Sequence, residues 1–424
     1  MDRLGHFIEG FGSRFDNVNR QTLDSIASYI HGLLSEARRK NIERIAEQKP
    51  TSNYQNIQYA VSEAQWDHRQ IIDGVAQQAN RFFQGDKDSS LIIDEFGIGK
   101  KGEMSVGVQR QWNGRLGKTD NCQVAVLGVL SSRASACPID IRLFLPESWV
   151  DDPKRCSKAG IPEEEQIART KLELATEIIA NAVAQDLDFK WVGFDAFYGR
   201  SKKFLADLDD KNLTFVGDVP VTHQVSLPNR DQLQSVKSLA EKRKFKRVVL
   251  RPQAKGYLQV DAMSITVDVT VKKGDVRKWR LIVTKEIGSE DIKYSFTNSK
   301  ASLRRVAYMQ RQRFWVERTI QDAKTSCGMA QYQVRGWVPW HHHMALVMLA
   351  MLFLFQERLL HGESIPLLSC QDIVGVLAQG LIRSQQTIES EIDAVRERHR
   401  QRFRDIERRQ KIFIREHGPP KSLF

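Results

Sequence analysis

The chain has 424 residues, of which 41% are hydrophobic and 27% charged, and its formal net charge is +12. This composition is ordinary for a globular protein and argues against a fibrous or wholly disordered class. The basic balance, with a pI of about 9.4, favours a polyanionic partner, first a nucleic acid and second an anionic membrane.

Signals for compartment and redox state favour the cytoplasm. The longest apolar run, residues 344–355, is shorter than the roughly 20 residues that cross a bilayer, so it predicts a buried core helix and no membrane partner. The first ten residues, MDRLGHFIEG, lack the apolar stretch of a secretory signal. Five cysteines without a C-x-x-C pair indicate reduced thiols rather than a disulfide framework or a zinc site.

Residues 1–85 carry the apolar spacing of helices. One helix is predicted through residues 23–40, which includes a basic turn; a second is capped by Ser52 or Asn53, and a third starts near Asp67. A DNA-binding domain and a helical packing domain both fit this pattern.

From residue 86 the apolar spacing changes to that of strands, which predicts an α/β class with a mixed sheet flanked by helices. Strand-forming runs within 91–145 precede a helix at about 163–185 and a strand at 190–199. The predicted units are a helical N-terminal domain, an α/β core in two parts, an all-β insertion and a helical basic C-terminal region, at residues 1–85, 86–212 with 301–362, 213–300 and 363–424.

The stretch SLIIDEFGIGKKG, residues 90–102, runs from apolar residues into an acid and then into glycines and lysines. It lacks the spacing of a phosphate-binding loop, so its glycines predict a hairpin turn between antiparallel strands. Asp94 is expected at the end of the strand, where an acid often only caps a turn. Asp195 also follows an apolar strand. Two such carboxylates on one sheet can converge to bind a divalent cation.

A third acid lies in the segment QRQRFWVERTIQDAKTSCG, which is predicted to be helical. Arg313 and Glu317 are one helical turn apart, and Lys324 lies two turns beyond Glu317, close to the same face. Taken alone, such an Arg/Glu pair is usually a solvated salt bridge.

Together these motifs resemble those of the DDE transposases of bacterial insertion sequences, in the branch marked by a Tyr-Arg-Glu-Lys signature. The resemblance covers about residues 20–360. It rests on the order Asp, Asp, Glu, on the Arg-x3-Glu-x6-Lys helix, and on SVGVQRQWNGRLGKTDNCQVAV, PIDIRLFLPESWVDDPKR and YQVRGWVPWHHHMAL.

The resemblance implies an RNase H-like fold in which Asp94, Asp195 and Glu317 are catalytic and bind two Mg²⁺ ions, with Mn²⁺ as a substitute. It implies that Arg313 and Lys324 hold DNA near the scissile phosphate. This sequence departs from the signature at the tyrosine, whose position falls at Gln310.

The resemblance also implies that the insertion holds a DNA hairpin. Trp279 is a candidate for stacking on a flipped base there, and a core role fits it equally well.

The function implied is metal-dependent excision and integration of an insertion sequence. One strand is hydrolysed at each terminal inverted repeat, transesterification forms and resolves a hairpin, and the element joins target DNA. Double-stranded DNA and a second copy of the chain, in a paired-end complex at the nucleoid, are the implied partners. A catalytically inactive, transposase-derived DNA-binding protein is the alternative.

Basic residues flank the first acid and are candidates for a phosphate path or for a merely soluble surface: Lys100, Lys101, Arg110, Arg115 and Lys118. His341, His342 and His343 cannot all ligate one ion, because consecutive helical side chains point about 100° apart, so packing or DNA contact is expected. The arginine-rich segment 386–417 predicts either a dimerisation helix or a basic DNA-binding arm.

Overall fold

The structure is a computed structural model that describes residues 2–47, 53–114, 117–253, 256–365, 367–380 and 385–418. Its helices are α1 Asp2–Gly10, α2 Arg20–Leu33, α3 Ile42–Glu47, α4 Tyr54–Ser62, α5 His68–Phe83, α6 Glu147–Val150, α7 Pro153–Ala159, α8 Lys171–Ala184, α9 Ala196–Gly199, α10 Lys202–Asp210, α11 Val236–Glu241, α12 Leu303–Arg311, α13 Phe314–Ser326, α14 Trp337–His361, α15 Cys370–Gly380 and α16 Gln385–His417. Short 3₁₀ turns cover Gly12–Arg14 and Glu163–Glu165.

The strands are β1 Ser90–Gly99, β2 Gln109–Asn113, β3 Lys118–Ser132, β4 Ser135–Leu143, β5 Trp191–Phe194, β6 Phe215–Asp218, β7 Gln224–Val225, β8 Gln234–Ser235, β9 Lys246–Gln253, β10 Gly256–Lys272, β11 Asp275–Glu286 and β12 Ile292–Thr297. One large mixed sheet has the order β2-β3-β1-β5-β6-β12-β11-β10-β9, with β4 also paired to β3. The predicted α/β class with a mixed sheet and flanking helices is confirmed.

The parallel centre of the sheet consists of β1, β5 and β6, and every other neighbouring pair in it is antiparallel. The strands of residues 213–300 continue this sheet, because β12 pairs with β6. The expectation of an all-β insertion is wrong in one respect, since α11 lies within that range. The insertion therefore shares its backbone hydrogen bonds with the core.

Strand β1 extends beyond the predicted boundary, since Asp94 pairs with Leu127 in its middle and pairing with β3 continues to Gly99. The predicted hairpin is wrong, because β1 and β2 lie on opposite sides of β3. Strand β3 pairs with the backbone of β1 along the whole strand, including Gly97 and Gly99. Residues 100–108 then cross to the other side of β3.

The two predicted starts of N-terminal helices are confirmed. Asn53 caps α4 and Asp67 caps α5, each through its side chain. The first long helix ends at Leu33, so the basic residues 38–40 lie in a loop, contrary to the prediction. Lys40 is buried there and donates from Nζ to the carbonyls of Leu33, at 2.9 Å, and Ser326, at 2.6 Å. This lysine therefore ties the N-terminal helices to α13.

The predicted helix at 163–185 is shorter in the structure, because α8 begins at Lys171 after a capping box formed by Thr170 and Glu173. Ile167 and Val183, two apolar residues of the predicted helix, are exposed.

Helix α14 forms the centre of the helical layer, where it packs against α5 and β4. In the part of the chain that the structure describes, it is the one helix long and apolar enough to cross a bilayer, and 72% of its most apolar window is buried inside the fold. The predicted buried core helix is confirmed.

The three consecutive histidines of α14 are all buried. His343 Nδ1 lies 2.8 Å from the Tyr29 hydroxyl, and His342 lies within 3.0 Å of two backbone carbonyls. Burial lowers the pKa of His342 to about 4 and that of His341 to about 3. Of the two alternatives, the structure therefore favours neutral packing residues over DNA contacts.

Candidate active site

Three acids lie in line at one edge of the parallel strands. Ile92 is level with Gly193 in the β1/β5 register, so the position two residues on aligns Asp94 with Asp195. Phe194 is level with Gly217 in the β5/β6 register, so the next position aligns Asp195 with Asp218. Because the carboxyl ends of parallel strands meet at the same edge of a sheet, the fold itself brings these carboxylates together.

A close approach of backbone at Gly199 holds the second acid in place. Asp195 caps α9 by accepting a hydrogen bond from the Phe197 N–H at 2.9 Å. A Cβ atom at Gly199, the last residue of α9, would lie 1.9 Å from the Asp218 carbonyl oxygen. Only glycine therefore lets this short helix pack against β6 and keep Asp195 at the strand end.

Helix α13 brings the third predicted acid to the same cleft, which has a volume of about 870 Å³. Side chains that line it include all three predicted acids and both predicted cations, Asp94, Asp195, Glu317, Arg313 and Lys324. Lys324 lies beside β1, with Nζ 3.5 Å from the Gly97 carbonyl oxygen and 5.1 Å from the centre of the Phe96 ring. The structure thus brings together five residues that are spread over more than 200 positions of the sequence.

Arg313 lies among the carboxylates. Its Nη1 is 3.1 Å from Asp94 Oδ2, its Nη2 is 3.0 Å from Glu317 Oε1, and its Nε is 3.7 Å from Asp218 Oδ2. Since it contacts buried acids as well as Glu317, the pair Arg313/Glu317 is more than a solvated salt bridge on the surface of one helix.

Burial dominates the electrostatics of the cleft. It raises the pKa of Asp94 to about 7, against the lowering effect of Arg313 and together with repulsion from Asp195 and Glu317. Burial also raises the pKa of Asp218, although Arg313 opposes the shift. Arg313 loses solvation, but the surrounding carboxylates raise its pKa overall. Burial therefore outweighs the stabilisation that Arg313 gives to the ionised forms of Asp94 and Asp218.

The donor set suits a hard divalent cation, because Mg²⁺ prefers carboxylate oxygens. The described residues contain no cluster of three His, Cys, Asp or Glu side chains already arranged around a single point. Arg313 accounts for this, since it pairs with Asp94 and Glu317 at distances of 3.1 and 3.0 Å. The chemistry of Asp94, Asp195 and Glu317 fits the implied metal, and Arg313 is the residue whose pairing must change.

Several residues in the cleft or beside it were not predicted from the sequence. Lys171 Nζ lies 2.8 Å from Glu95 Oε1 at the side of the cleft, and Trp112 on β2 lines it with 56% of its surface exposed. Asp218 had a visible signal, because FVGD repeats the pattern of an apolar strand, a glycine and an acid in WVGFD. The cleft roles of Lys171 and Trp112 follow from long-range packing and have no local pattern.

The other predicted DNA-binding residues lie outside this cleft. Arg110 and Lys118 are exposed on β2 and β3, and Arg115 lies outside the described residues. Lys100 and Lys101 line a second cleft, of about 1340 Å³, between the N-terminal helices and the segment after β1. Burial lowers the pKa of Lys100 to about 8.

Trp279 requires a correction. Its side chain is 1% exposed, packs against Phe215 and Phe296, and donates from the indole nitrogen to Asp209 at 2.9 Å. A residue in this position cannot stack on a flipped base, so the core alternative is the one that fits. The reason is its place on the inner face of β11, where it fills the core.

Residues 10–273 match the family described as DDE superfamily endonuclease. The match spans more than half of the chain, so the chain belongs to this family; the matched segment contains Asp94 and Asp195 and ends before Glu317. The chain is similar to the "Probable transposase for insertion sequence element IS701" of Microchaete diplosiphon. The two are 27% identical over 312 residues, which cover 72% of this chain and 76% of the relative.

Proposed function

We propose that this protein is the transposase of an insertion sequence and that it cuts and joins DNA at the terminal inverted repeats of that element. The observation that carries the proposal is the convergence of Asp94, Asp195 and Glu317 on one cleft together with Arg313 and Lys324. Membership in the DDE endonuclease family and the similarity to an insertion-sequence transposase support it. The parallel centre and the in-line acids also suit an RNase H-like fold.

The three acids and the two predicted cations of the cleft each have a role in this reaction. Asp94, Asp195 and Glu317 would hold two Mg²⁺ ions, or Mn²⁺ in their place. The chemistry that these ions supply when bound is activation of a water or a 3′-hydroxyl and stabilisation of the leaving oxygen. Arg313 and Lys324 would orient the phosphates on either side of the scissile bond, which removes much of the entropic cost of the reaction.

Excision through a DNA hairpin, followed by joining to target DNA, is part of the proposal. The exposed Trp112 at the cleft, rather than the buried Trp279, has the accessibility that a contact with an unpaired base needs. The N-terminal helices, next to the cleft of Lys100, would bind the element ends. The reaction takes place on DNA in the cytoplasm.

The C-terminal helix fits the DNA-binding alternative better than a dimerisation seam. Its inner face already packs on this chain, since the rings of Phe413 and Tyr257 lie 5.3 Å apart. Four basic residues on the outer face are exposed at spacings of four, three and four residues: Arg404, Arg408, Lys411 and Arg415. Like charges oppose pairing of this face with its own copy, whereas phosphates complement it. Pairing of two copies at the element ends would therefore use other surfaces.

A catalytically inactive DNA-binding descendant is the second candidate. No acid of the cleft is missing, and the buried Asp94 costs stability without serving DNA binding, which favours the active enzyme.

Cleavage of a plasmid that carries both element ends separates the two candidates. With Mg²⁺, we expect the protein to nick at the ends, and we expect Asp94→Asn to lower the single-turnover rate at least 1,000-fold, because the metal site loses a ligand. Binding to the ends should change less than threefold. Glu103→Gln, an exposed acid beyond β1, is the matched control and should cleave normally. Wild-type protein that binds the ends without cutting would establish the inactive candidate.

A further inference from the structure

Asp218 lies beside the catalytic acids but does not line their cleft. It is level with Asp195 in the register of the parallel strands, and its side chain is 15% exposed. One carboxylate oxygen, Oδ1, accepts a hydrogen bond of 2.5 Å from the Ser295 hydroxyl. The other, Oδ2, faces Arg313 Nε at 3.7 Å.

A row of buried hydrogen bonds lies behind Asp218. Gln310 Nε2 donates to Ser295 Oγ at 2.6 Å, and Gln310 Oε1 accepts from the Thr284 hydroxyl at 2.7 Å. Gln310 is 3% exposed. Both polar atoms of its side chain are therefore used inside the protein, away from any phosphate in the cleft. A buried row in which each group has a partner holds its members in one geometry.

Each of the three nitrogens of the Arg313 guanidinium faces a different acid. Its two terminal nitrogens contact Asp94 and Glu317. Its Nε is buried and makes no hydrogen bond to any described residue. The negative charge of Asp218 is what faces this nitrogen, so Asp218 determines which edge of the guanidinium turns away from the cleft.

We propose that Asp218 is a positioning residue for Arg313, and that Gln310 acts through Ser295 to hold Asp218 in place. The proposal rests on the proposed function for its effect on catalysis. If Asp94 and Glu317 held metal ions instead of pairing with Arg313, Asp218 would remain as the anionic partner of this arginine. The terminal nitrogens would then point into the cleft towards a DNA phosphate. Gln310 thus serves inside the protein, where the signature has a tyrosine.

A double-mutant cycle tests the proposal. Asp218→Asn keeps an oxygen for Ser295 and removes the charge that faces Arg313. We expect it to slow single-turnover cleavage of the element ends about 100-fold, the size of effect that a misplaced catalytic group produces. Arg313→Gln should slow cleavage at least as much. The double variant should match Arg313→Gln alone, because Asp218 acts only through that residue. Effects that multiply would overturn the proposal.

Mn²⁺ binding separates a positioning role from a role as a metal ligand. Measured by electron paramagnetic resonance, the Mn²⁺ affinity of Asp218→Asn should stay within threefold of the wild type. Asp94→Asn should lose at least tenfold. A loss at Asp218→Asn equal to that at Asp94→Asn would make Asp218 a ligand and refute the positioning role.

A spectroscopic readout needs no cleavage at all. The Nε–H resonance of Arg313, assigned by its loss in Arg313→Gln, should shift and exchange faster with water in Asp218→Asn, and less so in Ser295→Ala. Asp209→Asn, which removes the charged partner of Trp279 and no ion-pair partner of Arg313, is the matched control and should leave the resonance unchanged. An unchanged resonance in Asp218→Asn would sink the proposal. Wild-type protein that never cuts DNA would instead refute the proposed function, with the resonance still deciding the role of Asp218.

Discussion

The two clefts that strand β1 helps to line differ in the partners of their buried charged groups. In the first, Asp94 is 8% exposed, with further carboxylates around it and Arg313 as its cation. In the second, the Lys100 ammonium lies 3.6 Å above the Tyr332 ring and pairs with no acid among the described residues. The buried acid of the first cleft thus has a cationic partner, whereas Lys100 in the second has no acidic partner among the described residues. Divalent ions would complete the first and DNA phosphates the second, so one strand links the chemistry to the binding.

The buried Asp94 of the acidic cleft lowers the stability of the fold at neutral pH, and its replacement measures by how much. The pKa of Asp94 is raised from 3.8 to about 7, so the folded state binds a proton that the unfolded state releases. Stability therefore falls as pH rises from about 4 to about 7 and is level above that. The full shift corresponds to on the order of 4 kcal/mol.

Without divalent ions, the free energy of unfolding of Asp94→Asn should therefore rise relative to that of the wild type as the pH increases from 5 to 8. The gain should reach a few kcal/mol, since burial is the cause and asparagine carries no charge. Urea unfolding at both pH values measures it. Lys100→Gln, with the change in the other cleft, should show no such gain. A constant difference between Asp94→Asn and the wild type at both pH values would contradict the raised pKa.

Addition of Mg²⁺ should remove this instability in the wild type. A ligand that binds only the folded state adds about 2.7 kcal/mol when it is present at 100 times its dissociation constant. Thermal unfolding with and without Mg²⁺ measures the effect. We expect the same shift for Lys100→Gln and a much smaller one for Asp195→Asn, which removes one carboxylate of the cleft. Equal shifts in all three proteins would mean that the ions bind elsewhere.

The acids were predictable because their signal is local. An apolar run followed by an acid occurs at Asp94 and again at Asp195, and the parallel register of the two strands aligns these acids. The full length of β1 was not predictable, since the glycines after Asp94 imitate a turn and only the distant partner β3 shows that the strand continues. The choice between the two roles of Trp279 stayed open for the same reason. Its neighbours Phe215 and Phe296 come from separate strands, and no local pattern reports that a tryptophan in a β-rich segment is buried.

The basic cleft should reveal itself through the salt dependence of DNA binding, with the smallest of these effects. Each phosphate contact contributes about 0.9 to the slope of log affinity against log salt. Lys100→Gln should therefore lower the slope by about one and weaken binding several-fold at moderate salt. Because the pKa of Lys100 is about 8 in the free protein, its contribution should fall as pH rises through 8, and binding of phosphate should favour proton uptake. Lys190→Gln is the matched control, since Lys190 pairs with Asp188 just before β5, at the other end of the sheet. Equal slopes for Lys100→Gln and the wild type would show that DNA does not reach the second cleft, and the link through β1 would then be lost.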